Sequence, residues 1–211
     1  AQKVEEKKMT AGQWIIAFLM CYGLMYAGNL IGTALTFGIG MVKGTGVENP
    51  LVSTVMQLNP WVTFVIVVLI APTAEELLFR KLLTERIVKY GELPAVLASG
   101  LFFGLFHGNL NQFSYAFLLG LFLGFIYVKT GKLRYTIGLH MAVNFIGSSL
   151  GTWMLRVTGY MDTMETLTEF LNTKDLTVLA DLGNGIVGMF LFGSVMAKIY
   201  AVSGAASSIA N

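Results

Sequence analysis

The chain has 211 residues, 55% of them hydrophobic and only 12% charged, with a formal net charge of +2 and a mean hydropathy of +0.69. A soluble domain carries about 25% charged residues, so most of this surface is expected to face lipid rather than water. The absence of a basic stripe excludes nucleic acid as a partner, and the single cysteine, Cys21, excludes an intramolecular disulfide.

A short charged segment, Ala1 to Met9, precedes Trp14 to Val42, which runs 29 residues without a charge. That run is too long for the apolar core of a signal peptide and reads as an uncleaved first span. After the polar turn Lys43 to Asn49, a second uncharged run starts at Pro50 and meets Glu75 and Glu76 without a turn signal. Its helical pattern continues to Tyr90, and Pro72 is expected to kink it and free backbone groups. Leu93 to Val128 then holds 36 residues with no Asp, Glu, Lys or Arg. The cluster Gly108-Asn109-Leu110-Asn111-Gln112 divides this stretch into a third and a fourth span, each short for a bilayer. Tyr135 to Leu155 reads as the fifth span, Thr158 to Asp181 as an acidic amphipathic connector, and Gly185 to Val202 as the sixth.

The fold class is therefore all-α, a polytopic transmembrane bundle of about six spans forming a single membrane domain over residues 1–211. Basic residues orient it. With a cytoplasmic N-terminus, the inner segments hold Lys3, Lys7, Lys8, Arg80, Lys81, Arg86, Lys89, Lys129, Lys132, Arg134 and Lys198. The outer ones hold only Lys43, Arg156 and Lys174. Both termini are expected in the cytoplasm, in a protein of the cell membrane. Gly100, Gly104 and Gly108 on the third span, and Ala116, Gly120 and Gly124 on the fourth, form small-residue stripes that let membrane helices approach closely.

A charge at bilayer depth costs about 3 kcal/mol or more, which makes intramembrane polar residues functional candidates. Three groups stand out. In Glu75-Glu76-Leu77-Leu78-Phe79-Arg80, Glu76 and Arg80 are at i and i+4 in the favourable order for an ion pair. Glu75 points about 100° away and is left for another partner. Phe103 and His107 share a helix face one turn apart, as do His140 and Asn144. His107 and His140 are the only two histidines in the chain. Counted from Tyr90 and Leu93, Glu75 and His107 lie at similar depth, about 21–23 Å from the cytoplasmic helix ends.

Taken in order on separate apolar helices, Glu-Glu-xxx-Arg, Phe-xxx-His and His-xxx-Asn resemble the CAAX-protease and bacteriocin-processing family. These are intramembrane endopeptidases that include the type II CAAX prenyl endopeptidases. Glu75, Glu76 and Arg80 match the first motif, Phe103 and His107 the second, His140 and Asn144 the third, within a motif-bearing core of about residues 58–155. Family members often have eight spans, so an additional N-terminal part is expected beyond the six read here. The resemblance implies peptide hydrolysis, with a membrane-associated peptide or a prenylated C-terminal tail as substrate.

Such hydrolysis needs an activated water and a stabilised oxyanion. Desolvation makes a carboxylate a better proton acceptor, which suits Glu75 as general base, with His107 holding the water as the resemblance implies. His140 and Asn144 offer donors to the oxyanion, and Glu76 with Arg80 orients the helix. The expected cofactor is none. Zinc held by Glu75, His107 and His140 is the alternative, although no His-Glu-xx-His motif is present and Asn144 is a poor zinc ligand. Two other readings stay open on the residues alone. A proton-coupled transporter also buries Glu, His and Arg, but no pair of similar halves is visible. A non-catalytic membrane immunity protein or chaperone would keep the fold without turnover.

Overall fold

A computed structural model describes residues 4–44 and 57–153, and among them every regular element is helical. The chain divides into two compact units, Ala1–Ser149 and Leu150–Asn211. The site lies in the first; of the second, only residues 150–153 are described. The helices are α1 (Ala11–Lys43), α2 (Pro60–Tyr90), α3 (Glu92–Phe106), α4 (Leu110–Thr130) and α5 (Leu133–Asn144), which continues as a π-wound stretch, Phe145–Leu150. Three of them, α1, α2 and α4, are long and apolar enough to cross a membrane. Helix α3, expected as a short third span, has 15 residues, about 22 Å against a hydrocarbon core of about 30 Å. The expected connector and sixth span lie outside the described residues.

Local chemistry sets the helix ends. Thr10 and Gln13 form a reciprocal capping box at the start of α1. Asn59 caps α2 ahead of Pro60, and Asn109 caps α4 by accepting from the Gln112 N–H at 2.8 Å. Helix α4 stops at Gly131, whose φ of 63° belongs to the left-handed region. A Cβ there would also lie 2.7 Å from the Glu5 carbonyl oxygen, so a side chain is excluded by both conformation and space.

That close approach belongs to a contact invisible in the sequence. The N-terminal segment folds back along one end of the bundle, where the Lys7 N–H donates to the Thr130 carbonyl at 2.8 Å and the Met9 N–H to the Tyr135 hydroxyl at 3.2 Å. At the same end Lys129 pairs with Glu92, and Lys132 lies 3.9 Å from Glu6. The start of α1, the end of α4 and the starts of α3 and α5 thus meet there. A cleft of about 390 Å³ opens between Val4, Lys7, Val88, Glu92 and Lys129. Val88 is about 20 Å along α2 from Glu75, so this cleft is separate from the polar motifs.

Packing between helices follows membrane rather than soluble logic. Helix α1 buries a stripe of small residues, Ala17, Cys21, Gly28, Gly32 and Thr36, and exposes Ile15, Leu19, Tyr26, Leu30 and Phe37. With lipid outside, association gains little from apolar burial and depends on close backbone contact. Gly28 provides it against the Tyr115 backbone and Gly32 against the Asn111 carbonyl of α4. Between α3 and α4, a Cβ on Gly120 would fall 3.0 Å from the Gly100 Cα, and one on Gly124 3.1 Å from the Ser99 side chain. The expected small-residue stripes therefore do form a helix contact, with one correction. Gly108 is no part of it: nothing lies within 4 Å of its Cβ direction, and its φ of 68° places it in the turn after α3.

Pro72 does not interrupt α2. The helix runs through it with two wider-wound segments, Phe64–Ile70 before and Leu77–Thr84 after. Proline clashes with the carbonyl four residues back, and π winding moves that carbonyl out of the way.

Candidate active site

The three motifs converge from α2, α3 and α5. At their centre Glu76 and Arg80 are wholly buried and joined by two bonds, Nε to Oε2 at 2.8 Å and Nη2 to Oε1 at 3.1 Å. This is the ion pair expected from the i,i+4 spacing, in the bidentate geometry that makes such pairs strong. A third guanidinium nitrogen, Nη1, donates to Ser99 Oγ on α3 at 2.7 Å. The guanidinium also lies over the Phe103 ring, 5.0 Å from its centroid. The charged head is thus held by a carboxylate, a hydroxyl and an aromatic face, all buried.

His140, 3% exposed, stands between the two glutamates. Its Nδ1 is 3.0 Å from Glu76 Oε1 and its Nε2 is 3.7 Å from Glu75 Oε2. A carboxylate paired with arginine only accepts, so His140 Nδ1 carries hydrogen and donates to Glu76. Its Nε2 is thereby aimed at Glu75. The two neighbouring carboxylates differ sharply: the Glu76 side chain is sealed, whereas that of Glu75 is 18% exposed.

His107 ends α3 beside the same cluster. Its Nδ1 is 2.9 Å from the Phe103 carbonyl oxygen, another acceptor-only group, so Nδ1–H donates and the Nε2 lone pair remains for a further donor. Phe103 joins both histidines, with ring centroids 5.1 Å from His107 and 5.5 Å from His140, and it packs edge-on against Phe79 at 5.3 Å. Tyr115 of α4 closes the far side of His107 at 6.2 Å. The histidine in direct reach of Glu75 is His140; His107, expected to hold the water for Glu75, stands at the end of the facing helix α3.

Asn144, one turn beyond His140, donates from Nδ2 to the Val67 carbonyl on α2 at 2.9 Å. Ser99 and Tyr115 were missed by the sequence reading. Ser99 sits among small packing residues, Ala98 and Gly100, and nothing in composition separates it from them. Among the described residues no group of three His, Cys, Asp or Glu side chains is arranged to hold a metal ion.

Residues 57–146 match the family described as Type II CAAX prenyl endopeptidase Rce1-like. The match covers less than half of the chain, yet it contains every one of the seven motif residues and begins just ahead of α2, leaving α1 outside. No curated protein and no solved structure matches the chain. The motif resemblance and this match agree: over residues 57–146 the chain is similar to the type II CAAX prenyl endopeptidases, and three of its helices are long and apolar enough to cross a membrane.

Proposed function

We propose that this protein is an active intramembrane endopeptidase that hydrolyses a peptide bond in a membrane-associated peptide or a prenylated C-terminal tail. The observation that carries the proposal is the asymmetry of the two glutamates. Glu76 is saturated by Arg80 and His140, while Glu75 is partly open, beside a histidine that a fixed hydrogen bond orients.

The geometry supports a division of labour. A water placed between Glu75 and His107 donates one hydrogen to the carboxylate and the other to His107 Nε2. As its oxygen attacks the scissile carbonyl carbon, its proton passes to Glu75. His140, held by Glu76 through Nδ1, is the donor to the developing oxyanion from Nε2, and the second amide hydrogen of Asn144 adds to it. Glu75 then returns the proton to the leaving nitrogen as the C–N bond breaks. Carboxylate, imidazoles and donors come from three helices whose packing fixes them before substrate arrives, which limits reorganisation during the reaction.

The test is purified protein in detergent, incubated with prenylated and unprenylated candidate peptides, with products identified by mass spectrometry. Cleavage by wild type and none by Glu75→Gln is expected. Equal product from both proteins removes Glu75 from the reaction. Cleavage by neither, with both folded, favours a non-catalytic role.

A further inference from the structure

Pro72 leaves a gap in the backbone bonding of α2, and the position of that gap is visible in the register. In the π-wound stretch Phe64–Ile70, the Ala71 N–H bonds to the Ile66 carbonyl five residues back. The next donor in that register belongs to residue 72 and would reach Val67. Residue 72 is proline, with no N–H to give. A carbonyl without a partner inside a membrane bundle is costly.

The group found on the Val67 carbonyl is the Asn144 side-chain amide, at 2.9 Å and 77 residues away in sequence. The Asn144 carbonyl is itself bonded by the Ser148 hydroxyl at 2.6 Å, where α5 widens into its own π-wound stretch, Phe145–Leu150. Phe64 and Phe145 pack edge-on beside this junction, with centroids 6.2 Å apart. The two irregular stretches therefore meet at one hydrogen bond. Three residues beyond Pro72 stands Glu75, and one turn before Asn144 stands His140.

We infer that Asn144 is a positioning residue, whose amide replaces the N–H that Pro72 lacks and thereby locks the rotation of α2 that turns Glu75 toward His140. The asparagine acts on the backbone that carries the base, in addition to any contact with substrate. The sequence pairs it with His140 by spacing; the structure gives it a second partner, a main-chain oxygen. This inference rests on the proposed peptidase reading for its activity readout, but the bond itself is testable without activity.

The experiment is a double-mutant cycle between Asn144→Ala and Pro72→Ala on the full chain, read by thermal stability in detergent and by kcat and KM for peptide cleavage. Alanine at position 72 restores an N–H where Val67 needs one. The loss caused by Asn144→Ala is then expected to shrink markedly in the Pro72→Ala background, by about tenfold in kcat, with a smaller fall in melting temperature and KM unchanged. Identical losses in both backgrounds overturn the inference and leave Asn144 as an oxyanion donor alone. Coupling in stability without coupling in kcat makes the bond structural only, and also overturns it. If Pro72→Ala does not fold, Asn144→Asp sets an acceptor against the Val67 carbonyl, and a lowered melting temperature is expected; one equal to wild type overturns the inference. If wild type cleaves no peptide, the peptidase reading fails, while the stability arm still decides whether the bond exists.

Discussion

Two ion pairs with the same i,i+4 spacing stand on successive turns of α2, and they face opposite environments. Glu76 and Arg80 are both 0% exposed, and their charges are met by Ser99, Phe103 and His140 from other helices. Lys81 and Glu85, 2.7 Å apart, lie nearer the bundle end with side chains 46% and 10% exposed, and Glu85 accepts a further bond from the Tyr127 hydroxyl at 2.7 Å. Spacing alone does not distinguish the pairs. What differs is the cost of losing a partner: water reaches Lys81, whereas a charge left alone at position 76 or 80 has none. The inner pair is thus a fixed component on which His140 is mounted, and the outer one fastens α2 to α4.

The comparison is broken most forcefully by deleting one charge of the inner pair. Glu76→Gln leaves Arg80 short of its counter-ion and is expected to lower stability by about 3–5 kcal/mol, seen as a large drop in melting temperature in detergent. A drop no larger than that of Lys81→Ala would mean that burial does not separate the two pairs.

Ser99→Ala sharpens the account of what holds Arg80. It removes one hydrogen bond to a charged group and is expected to cost about 1.5–3 kcal/mol, measured in the same melting assay. Gly120→Ala belongs at a similar level for a different reason. Its new Cβ would meet the Phe103 Cβ at 2.9 Å, and overpacking of this kind costs about 1–3 kcal/mol. Because Phe103 touches both histidines, cleavage is expected to fall along with stability. Smallest is Lys81→Ala, at about 0–1 kcal/mol. Its effect should fade in high salt, whereas that of Glu76→Gln should not.

Much of this was legible in the sequence, and the reason is chemical contrast. Long uncharged runs define α1, α2 and α4 because lipid tolerates little else. Glu75, Arg80, His107 and His140 stand out because polar groups are expensive at that depth. The Glu76–Arg80 pair needed only helical spacing. The approach of His140 to Glu75 was beyond reach, since it depends on how α2 is rotated against α5. Two π-wound segments in α2, Phe64–Ile70 and Leu77–Thr84, break the 3.6-residue period on which facing was inferred. Gly108 continued a four-residue glycine spacing and looked like packing; a positive φ claimed it for a turn. The fold-back of Val4 to Met9 left no signal, because its bonds start from the main-chain N–H groups of Lys7 and Met9, which any residue but proline carries.

The central claim is that neighbouring glutamates divide the work, Glu75 reacting with water while Glu76 holds His140 in place. The direct measurement is peptide cleavage per folded molecule for Glu75→Gln and Glu76→Gln, with folding quantified by melting in the same detergent. Glu75→Gln is expected to lose cleavage entirely while melting close to wild type. Glu76→Gln is expected to melt far lower, with activity falling in step with the folded fraction. A well-folded, wholly inactive Glu76→Gln protein beside an active Glu75→Gln protein would contradict the account and exchange the two roles.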